Sequence, residues 1–180
     1  MHDIVIVGAG TAGMTAALYA ARAGKSVLLI ESTVYGGQIT YAPRVENYPA
    51  ITQISGNEFA DNLLSQVMAL GVETEFLRVT DIRVQDKLMT VVTDDGEFIC
   101  KSVIIATGAT HRHLGIEREE ELIGNGISYC AVCDGAFFKG KDVAIVGGGD
   151  TALQEALFLT GYCKNVYLIH RRDTFRGEQM

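Results

Sequence analysis

The stretch IVIVGAGTAGMTAALYAARAG, at residues 4–24, decides the fold. It opens with a β-branched apolar run at residues 4–7, passes through the glycine turn GAGTAG at residues 8–13, and then becomes alanine-rich and helix-favouring. Gly24 is placed to end this helix, and a second apolar run follows at residues 26–30. Two apolar runs joined by a helix predict a βαβ unit with parallel strands.

The glycine turn matches the GxGxxG fingerprint of dinucleotide-binding folds, in the expected place between a strand and a helix. Its first glycine permits a tight turn, the second lets the backbone approach a pyrophosphate, and the third lets helix and strand pack closely. An acid ends the second strand, where a carboxylate can accept hydrogen bonds from both hydroxyls of a ribose. This unit is therefore predicted to bind FAD or NAD through Gly8, Gly10, Thr11, Ala12, Gly13 and Glu31.

The βαβ pattern recurs further along the chain without a gap. Gly147 and Gly149 take the places of the first two glycines, and Ala152 takes the place of the third, which is an allowed variant. The apolar residues of both strands recur as well, at residues 145–146 and 166–169. The chain is therefore predicted to be an α/β protein with two Rossmann-like units, the second of them incomplete.

The second copy differs from the first where the ribose would lie. His170 stands in the place of Glu31, and Arg171 and Arg172 follow it. A carboxylate would repel a ribose 2′-phosphate, whereas guanidinium groups pair with it. The second unit is therefore predicted to prefer NADPH, with a solvated basic turn as the alternative. The predicted contacts are Gly147, Gly149, Asp150, Thr151, Ala152, His170, Arg171, Arg172 and Arg176.

Two cysteines stand three positions apart in CAVCDG, residues 130–135. A zinc site needs two more ligands, and the sequence has no second close cysteine pair, so no metal site is predicted. The CxxC spacing favours a redox pair, because neighbouring groups can lower the pKa of one thiol. Asp134 would exchange protons with the thiols, and it would also suit a turn with Gly135. Beside two dinucleotide units, Cys130 and Cys133 suggest an electron path from nicotinamide to flavin to disulfide.

The residues between the two glycine turns predict a helix, a small sheet and a linker. Ser55 and Glu58 have the capping-box spacing at the start of the helix. Residues 72–106 alternate with period two and predict a small antiparallel β-meander that leads into a buried strand at residues 103–106. The polar stretch at residues 115–121 is a candidate linker between domains.

The composition indicates a globular protein and disfavours several functions. The 180 residues carry a net charge of −7, which argues against nucleic-acid binding and against docking on an anionic membrane. The uncharged run at residues 4–21 contains three glycines and follows no basic leader, so neither a membrane span nor an export signal is predicted. We therefore expect a cytoplasmic location, where cysteines are more often ligands, catalytic thiols or core residues than disulfide staples.

Seven motifs together resemble the low-molecular-weight thioredoxin reductases over essentially the whole chain. They are GAGTAG at 8–13, GGQ at 36–38, ENYP at 46–49, ATG at 106–108, CAVCDG at 130–135, GGGDTA at 147–152 and HRRDTFR at 170–176. The resemblance implies an FAD-binding domain at residues 1–114 and the beginning of an NADPH-binding domain, which carries the CxxC motif, at residues 115–180.

The resemblance also implies roles for individual residues. Cys133 would face the flavin, Cys130 would attack the disulfide of thioredoxin, and Asp134 would serve as the acid. Further FAD contacts would be Gly36, Gly37, Gln38, Asn47, Thr107 and Gly108. Members of this family are homodimers that pass electrons from NADPH to thioredoxin, and they work by rotating the NADPH domain.

The chain departs from the family pattern in three places. Ala131-Val132 stands where Ala-Thr is usual, and Glu117-Arg118 replaces Pro-Gly. The family continues well beyond residue 180, so the chain resembles an N-terminal piece, for which we expect impaired FAD retention and turnover. Other interpretations are a flavin dithiol oxidase, a ferredoxin-linked or peroxiredoxin-linked reductase of the same architecture, and a non-catalytic fragment.

Overall fold

The computed structural model describes residues 1–177 and divides the chain into two compact units. The first unit is Met1–Thr110, and the second begins at His111. The division falls a few residues before the one that the sequence suggests, between residues 114 and 115.

The first unit is a mixed six-stranded sheet with helices. Its elements are β1 (His2–Val7), α1 (Thr11–Arg22), β2 (Val27–Glu31), a 3-10 turn (Gly37–Tyr41), α2 (Gly56–Ala69), β3 (Glu73–Phe76), β4 (Val79–Gln85), β5 (Leu88–Thr93) and β6 (Gly96–Ile105). The strand order is β3-β2-β1-β6-β5-β4. Strands β3, β2, β1 and β6 run parallel, and β6, β5 and β4 are antiparallel. The predicted α/β class is confirmed.

The meander prediction was wrong in two details. The first strand of the alternating stretch, β3, pairs parallel with β2 at the sheet edge and lies outside the meander. The predicted buried strand is the end of β6, which pairs parallel with β1, and its Ile105 is 68% exposed. Alternation identifies strands but does not specify their neighbours, because either partner satisfies the same pattern.

The core of the first unit lies around the two central strands. Ile6, Leu29, Met14 and Ala17 are fully buried where one face of the sheet meets α1. Burying a large aliphatic side chain contributes about 1.5–3 kcal/mol, so these contacts fix the register of strand and helix beside the glycine turn. The turn is therefore held on a rigid base.

Helix α2 begins as the sequence predicts. The hydroxyl of Ser55 accepts a hydrogen bond from the Glu58 amide at 3.1 Å, which satisfies one free amide of the first turn. Gly71 has a positive φ of 73° just beyond the helix, where left-handed backbone ends it.

The second unit repeats the βαβ arrangement. Its elements are α3 (Glu119–Leu122), α4 (Ala131–Asp134), a 3-10 turn (Gly135–Phe138), β7 (Asp142–Val146), α5 (Asp150–Thr160) and β8 (Asn165–Ile169). Strands β7 and β8 are parallel, which confirms the repeat. These two strands form a sheet of their own, and alternate apolar residues on them are exposed, with Val146 at 51%, Tyr167 at 57% and Ile169 at 52%.

The candidate linker at residues 115–121 is more ordered than its charge suggests. It contains the start of α3, and Glu119 is only 4% exposed. The Glu119 carboxylate accepts hydrogen bonds from the amides of Leu114 and Gly115 at 2.8 and 2.7 Å, so the segment folds around its own acid.

No helix in the described residues is long and apolar enough to cross a membrane.

Candidate functional site

The first glycine turn depends on the absence of two side chains. Gly8 has a φ of +100°, and a Cβ there would lie 2.4 Å from the carbonyl oxygen of Ala106. A Cβ on Gly13 would lie 1.8 Å from the carbonyl oxygen of Gly8. Helix α1 therefore starts as close to the end of β1 as backbone atoms permit, which directs its amide groups into the turn.

Several predicted FAD contacts meet at this turn. The amide of Gly36 donates to the Ala9 carbonyl at 2.8 Å, and a Cβ on Gly37 would lie 3.3 Å from the Cα of Gly10. The Gln38 amide group donates to the carbonyl of Ala109, beside the predicted residues 107 and 108. Asn47 is instead exposed, in the loop between Val45 and Ile54, which a short β-bridge joins to each other.

Glu31 is already held by the protein. Its Oε2 accepts the Ala9 amide at 2.8 Å, and its Oε1 accepts the amides of Ser32 and Thr33 and the Thr33 hydroxyl at 2.9–3.0 Å. Burial alone would raise the pKa of this carboxyl, but the hydrogen bonds from Ala9 and Thr33 outweigh it and hold the pKa below 4.5. One acceptor position remains on Oε2, so the geometry fits a single ribose hydroxyl better than the predicted two.

The second turn closes with a different set of contacts. Helix α5 starts at Asp150, after the extended residue Gly149. Ala152 keeps its Cβ, and a Cβ on Gly147 would lie 2.7 Å from it. The alanine at the third position therefore requires the first glycine, since the two side chains would occupy the same space.

The predicted cationic residues of the second unit line one cavity of about 490 Å³. They lie around the glycine turn together with an arginine that the sequence analysis did not select: the lining comprises Arg112, Val146, Gly147, Gly148, Gly149, Ile169, His170, Arg171, Arg172 and Arg176. The amide of Arg176 donates to the Gly148 carbonyl at 2.7 Å, which folds the basic loop back onto the turn. A cavity with four guanidinium groups suits a phosphate-bearing ligand.

His170 and Gly148 contact each other in the lining of this cavity. A Cβ on Gly148 would lie 2.3 Å from Nδ1 of His170, so the imidazole packs directly on the backbone. Its Nε2 is buried without a hydrogen-bond partner among the described residues. A nitrogen without a partner in the described part of the chain, on a residue that lines the same cavity as four arginines, fits a site that receives a polar group. The signal for Gly148 was its place in the middle of three consecutive glycines, at a position that the fingerprint leaves variable.

Cys130 and Cys133 form a disulfide, with their Cα atoms 5.3 Å apart. Cys130 caps the short helix α4, and its sulfur accepts a hydrogen bond from the Cys133 amide at 3.2 Å. Cys133 is exposed and Cys130 is half-buried. An amide aimed at Cys130 Sγ stabilises negative charge on that sulfur once the disulfide opens.

Three residues that the sequence analysis did not select hold the turn at residues 128–135, which we call the redox turn after its predicted role. The Ser128 hydroxyl lies 2.5 Å from Oδ2 of Asp134, and it also accepts the Cys130 amide at 3.0 Å. Glu155, on α5, accepts the Ala131 amide at 3.1 Å. A serine two residues before the first cysteine was a visible signal for Ser128, whereas the approach of α5 required the fold.

The third residue is Tyr129, which connects the redox turn to the ordered linker. Its hydroxyl donates to Glu119 Oε1 at 2.5 Å, and its ring stacks on His111 with centroids 4.6 Å apart. The hydrogen bonds from Tyr129 and Leu114 lower the pKa of Glu119 to about 2, and the same carboxylate raises the pKa of Tyr129 to about 12. Tyr129 therefore acts as a neutral donor at physiological pH.

Parallel βαβ units with dinucleotide-type turns, in a chain that carries a CxxC disulfide, define a class of redox proteins that use nucleotide cofactors. The comparison with known families agrees with this class. The profile described as pyridine nucleotide-disulphide oxidoreductase matches residues 2–180, and the chain belongs to this family.

Curated relatives confirm the more specific resemblance. The thioredoxin reductase of Treponema pallidum is 46% identical over 99% of this chain, and that of Listeria innocua is 45% identical over 100% of it. The crystal structure of thioredoxin reductase from Streptococcus pyogenes matches with a TM-score of 0.94 and 46% identity over 99% of this chain and 58% of that one. The chain spans 58% and 56% of the length of the two curated relatives.

Proposed function

We propose that this chain belongs to an NADPH-dependent flavoprotein that reduces the disulfide of a thioredoxin. The observation that carries the proposal is the Cys130–Cys133 disulfide, which lies in the same compact unit as the basic cavity. The relatives named thioredoxin reductase support the partner. When bound, NADPH would supply a hydride and FAD would pass the electrons to the disulfide as a pair.

The two turns would select their cofactors by charge. In the first unit, Glu31 would accept one ribose hydroxyl of FAD, and the amides at the start of α1 would meet its pyrophosphate. In the second unit, Arg171, Arg172 and Arg176 would neutralise the 2′-phosphate of NADPH, and the orphaned Nε2 of His170 would gain a partner. A basic cavity favours a phosphorylated nicotinamide reductant over the small dithiol that an oxidase would use.

The cysteines would carry the electrons to the partner. Reduction breaks the S–S bond and leaves a thiol and a thiolate, with one proton taken up. The Cys130 thiolate then attacks a sulfur of the thioredoxin disulfide, and Cys133 displaces the reduced thioredoxin and re-forms the bond to Cys130. Asp134 would exchange the proton. By the same resemblance we propose a homodimer that works in the cytoplasm.

Disulfide exchange tests the partner without any cofactor. The chain would be reduced with dithiothreitol, desalted without oxygen and mixed with oxidised thioredoxin, and the thiols on both proteins would be counted by mass spectrometry after alkylation. We expect thioredoxin to gain two thiols while Cys130 and Cys133 lose theirs and re-form their disulfide. Cys130→Ser should abolish the transfer, whereas Cys163→Ser, which removes a cysteine outside the pair, should leave it unchanged. Rapid reduction of oxidised glutathione with none of thioredoxin would show that the partner is wrong.

Nucleotide binding tests the second cofactor separately. Calorimetry would compare 2′,5′-ADP with 5′-AMP, which differ in the 2′-phosphate alone. We expect the wild-type chain to prefer 2′,5′-ADP by roughly 10-fold or more, because each charge-assisted contact contributes about 1.5–3 kcal/mol. Arg171→Ala should remove most of the preference. Arg118→Ala removes the same charge outside the cavity and serves as the control, and equal affinity for both nucleotides in the wild type would refute NADPH selectivity.

A further inference from the structure

The hydroxyl of Ser128 touches three groups at the redox turn. Its Oγ lies 2.5 Å from Oδ2 of Asp134, 3.0 Å from the amide nitrogen of Cys130 and 3.2 Å from the carbonyl oxygen of Cys130. The amide can only donate to Oγ, and the carbonyl can only accept from it. Because a hydroxyl has a single hydrogen, Ser128 can serve the carboxylate or the carbonyl, and not both at once.

This arrangement satisfies Asp134 whether it is charged or neutral. When the carboxylate is ionised, Ser128 donates to it and accepts the Cys130 amide. When Asp134 is protonated, it donates its own hydrogen to Oγ, and the Ser128 hydrogen turns to the Cys130 carbonyl. Oγ then accepts two hydrogen bonds and donates one, which is its full capacity. The Cys130 carbonyl loses the Ser128 hydrogen when Asp134 is ionised, but it still accepts the Asp134 amide at 3.1 Å, so no group is left without a partner in either state.

We propose that Ser128 is a positioning residue that holds Asp134 in one place in both protonation states, so that Asp134 exchanges a proton with the Cys130–Cys133 pair. Two electrons and one proton convert the disulfide to a thiol and a thiolate. The carboxyl of Asp134 supplies the proton, and Ser128 then turns its hydrogen from the Cys130 carbonyl to the new carboxylate. The inference rests on the proposed function only for the physiological source of the two electrons, and a chemical reductant can replace that source.

Other charged groups near the turn have donors of their own. From α5, Glu155 accepts the Ala131 amide at 3.1 Å. From the linker, Glu119 accepts the Tyr129 hydroxyl and two backbone amides. Changes at Ser128 leave these contacts in place and remove its contacts with Asp134 and with the backbone of Cys130. The part of the effect that belongs to Asp134 is the part that Asp134→Asn also removes.

The test is the pH profile of thiol alkylation in the reduced full chain. The protein would be reduced with dithiothreitol and desalted, and the rates at which iodoacetamide modifies Cys130 and Cys133 would be measured from pH 3 to 10 by peptide mass spectrometry. The wild type should show an inflection that Asp134→Asn removes, which assigns that inflection to Asp134. Ser128→Ala should displace this inflection, because Asp134 loses the hydroxyl that partners it in both protonation states. Ser128→Thr, which keeps the hydroxyl, should restore it.

Each alternative result decides against the proposal. If the Ser128→Ala profile coincides with the wild type, or if Ser128→Thr shifts as far as Ser128→Ala, the hydroxyl does not hold Asp134. If the wild type has no inflection that Asp134→Asn removes, Asp134 does not exchange protons with the pair. Ser128→Val matches threonine in shape, so comparing Ser128→Thr with Ser128→Val gives the answer should the alanine variant fold poorly. The assay contains no nucleotide, flavin or thioredoxin, so its failure is distinct from failure of the proposed function.

Discussion

The two glycine turns share a sequence pattern but differ in what completes them. The first turn is closed by the protein itself, because the carboxylate of Glu31 is fixed by four donors and Gly13 lies against the backbone of Gly8. The second turn ends in His170, whose Nε2 has no partner among the described residues, and in a cavity lined by arginines. A repeated motif therefore specifies a repeated backbone, while the residue at the end of the second strand differs between the turns in charge and in how many protein groups contact it.

The position of the third glycine should give the largest contrast between the turns. Gly13→Ala would place a Cβ 1.8 Å from the Gly8 carbonyl oxygen, and neither backbone segment can move without separating α1 from β1. We expect a loss of about 3 kcal/mol in the free energy of unfolding, measured by urea denaturation with circular dichroism. Ala152→Gly in the second turn should cost about 1 kcal/mol or less, from helix propensity. Equal losses in the two variants would mean that the turns are packed alike.

Substitution of Glu31 in the first turn should lower the free energy of unfolding by less, and by an amount that depends on pH. Glu31→Gln replaces a charged acceptor of four hydrogen bonds with an amide whose NH₂ group must face at least one of the protein's N–H or O–H donors. We expect the substitution to lower the free energy of unfolding by about 2 kcal/mol near neutral pH. The folded pKa of Glu31 lies below its ordinary 4.5, so this carboxylate stabilises the fold fully above pH 4.5.

The contribution of Glu31 is lost as the pH falls through its folded pKa. The gap in unfolding free energy between wild type and Glu31→Gln should therefore narrow below about pH 4.5, as followed by urea denaturation at a series of pH values. His170→Gln, at the equivalent place in the second turn, should change stability by less than about 1 kcal/mol, because Nε2 of this ring has no hydrogen-bond partner to lose within residues 1–177. A gap that widens in acid would mean that ionised Glu31 destabilises the folded chain.

The smallest effects should come from left-handed residues outside both turns. Ala50 in the first unit and Arg118 in the second have φ values of 69° and 61°, which glycine adopts more easily. Ala50→Gly should raise stability by up to about 1 kcal/mol, since relief of strain exceeds the gain in unfolded-state freedom. Arg118→Gly should gain less, because it also loses the exposed ion pair with Glu121 at 2.8 Å.

Thermal unfolding can measure these two effects. Arg118→Ala keeps the strained backbone and removes the ion pair, so the difference between Arg118→Ala and Arg118→Gly isolates the strain. If Arg118→Gly is no more stable than Arg118→Ala, the positive φ carries no cost at that position.

Much of the fold could be predicted because its main signals are local. The glycine turn, the apolar runs beside it and the capping pair Ser55 and Glu58 each specify a short segment on their own. The parallel pairing of β3 with β2 could not be predicted, because alternation along a strand does not identify the neighbouring strand. Glu119 was placed in a candidate linker for a similar reason. The three groups that donate hydrogen bonds to its carboxylate come together only when the segment folds.

The candidate sites divide in the same way. The site role of Arg171 and Arg176 could be predicted, because they follow the second strand of the βαβ unit at a fixed distance from the glycine turn. Arg112 reaches the same cavity from a segment far away in the chain, and Glu155 reaches the redox turn from a helix that the fingerprint only begins. Such contacts depend on how the elements pack, which a linear pattern does not contain.

The clamped carboxylate of Glu31 has a consequence for how the first unit meets a ligand. Its rotamer and the shape of the following loop at Ser32 and Thr33 are settled during folding, with no ligand involved. A nucleoside arriving there encounters a preorganised surface, so little ordering of the protein remains to oppose association. The empty and occupied forms of that corner should therefore look alike, and the entropy of binding there should reflect water and ligand rather than the polypeptide.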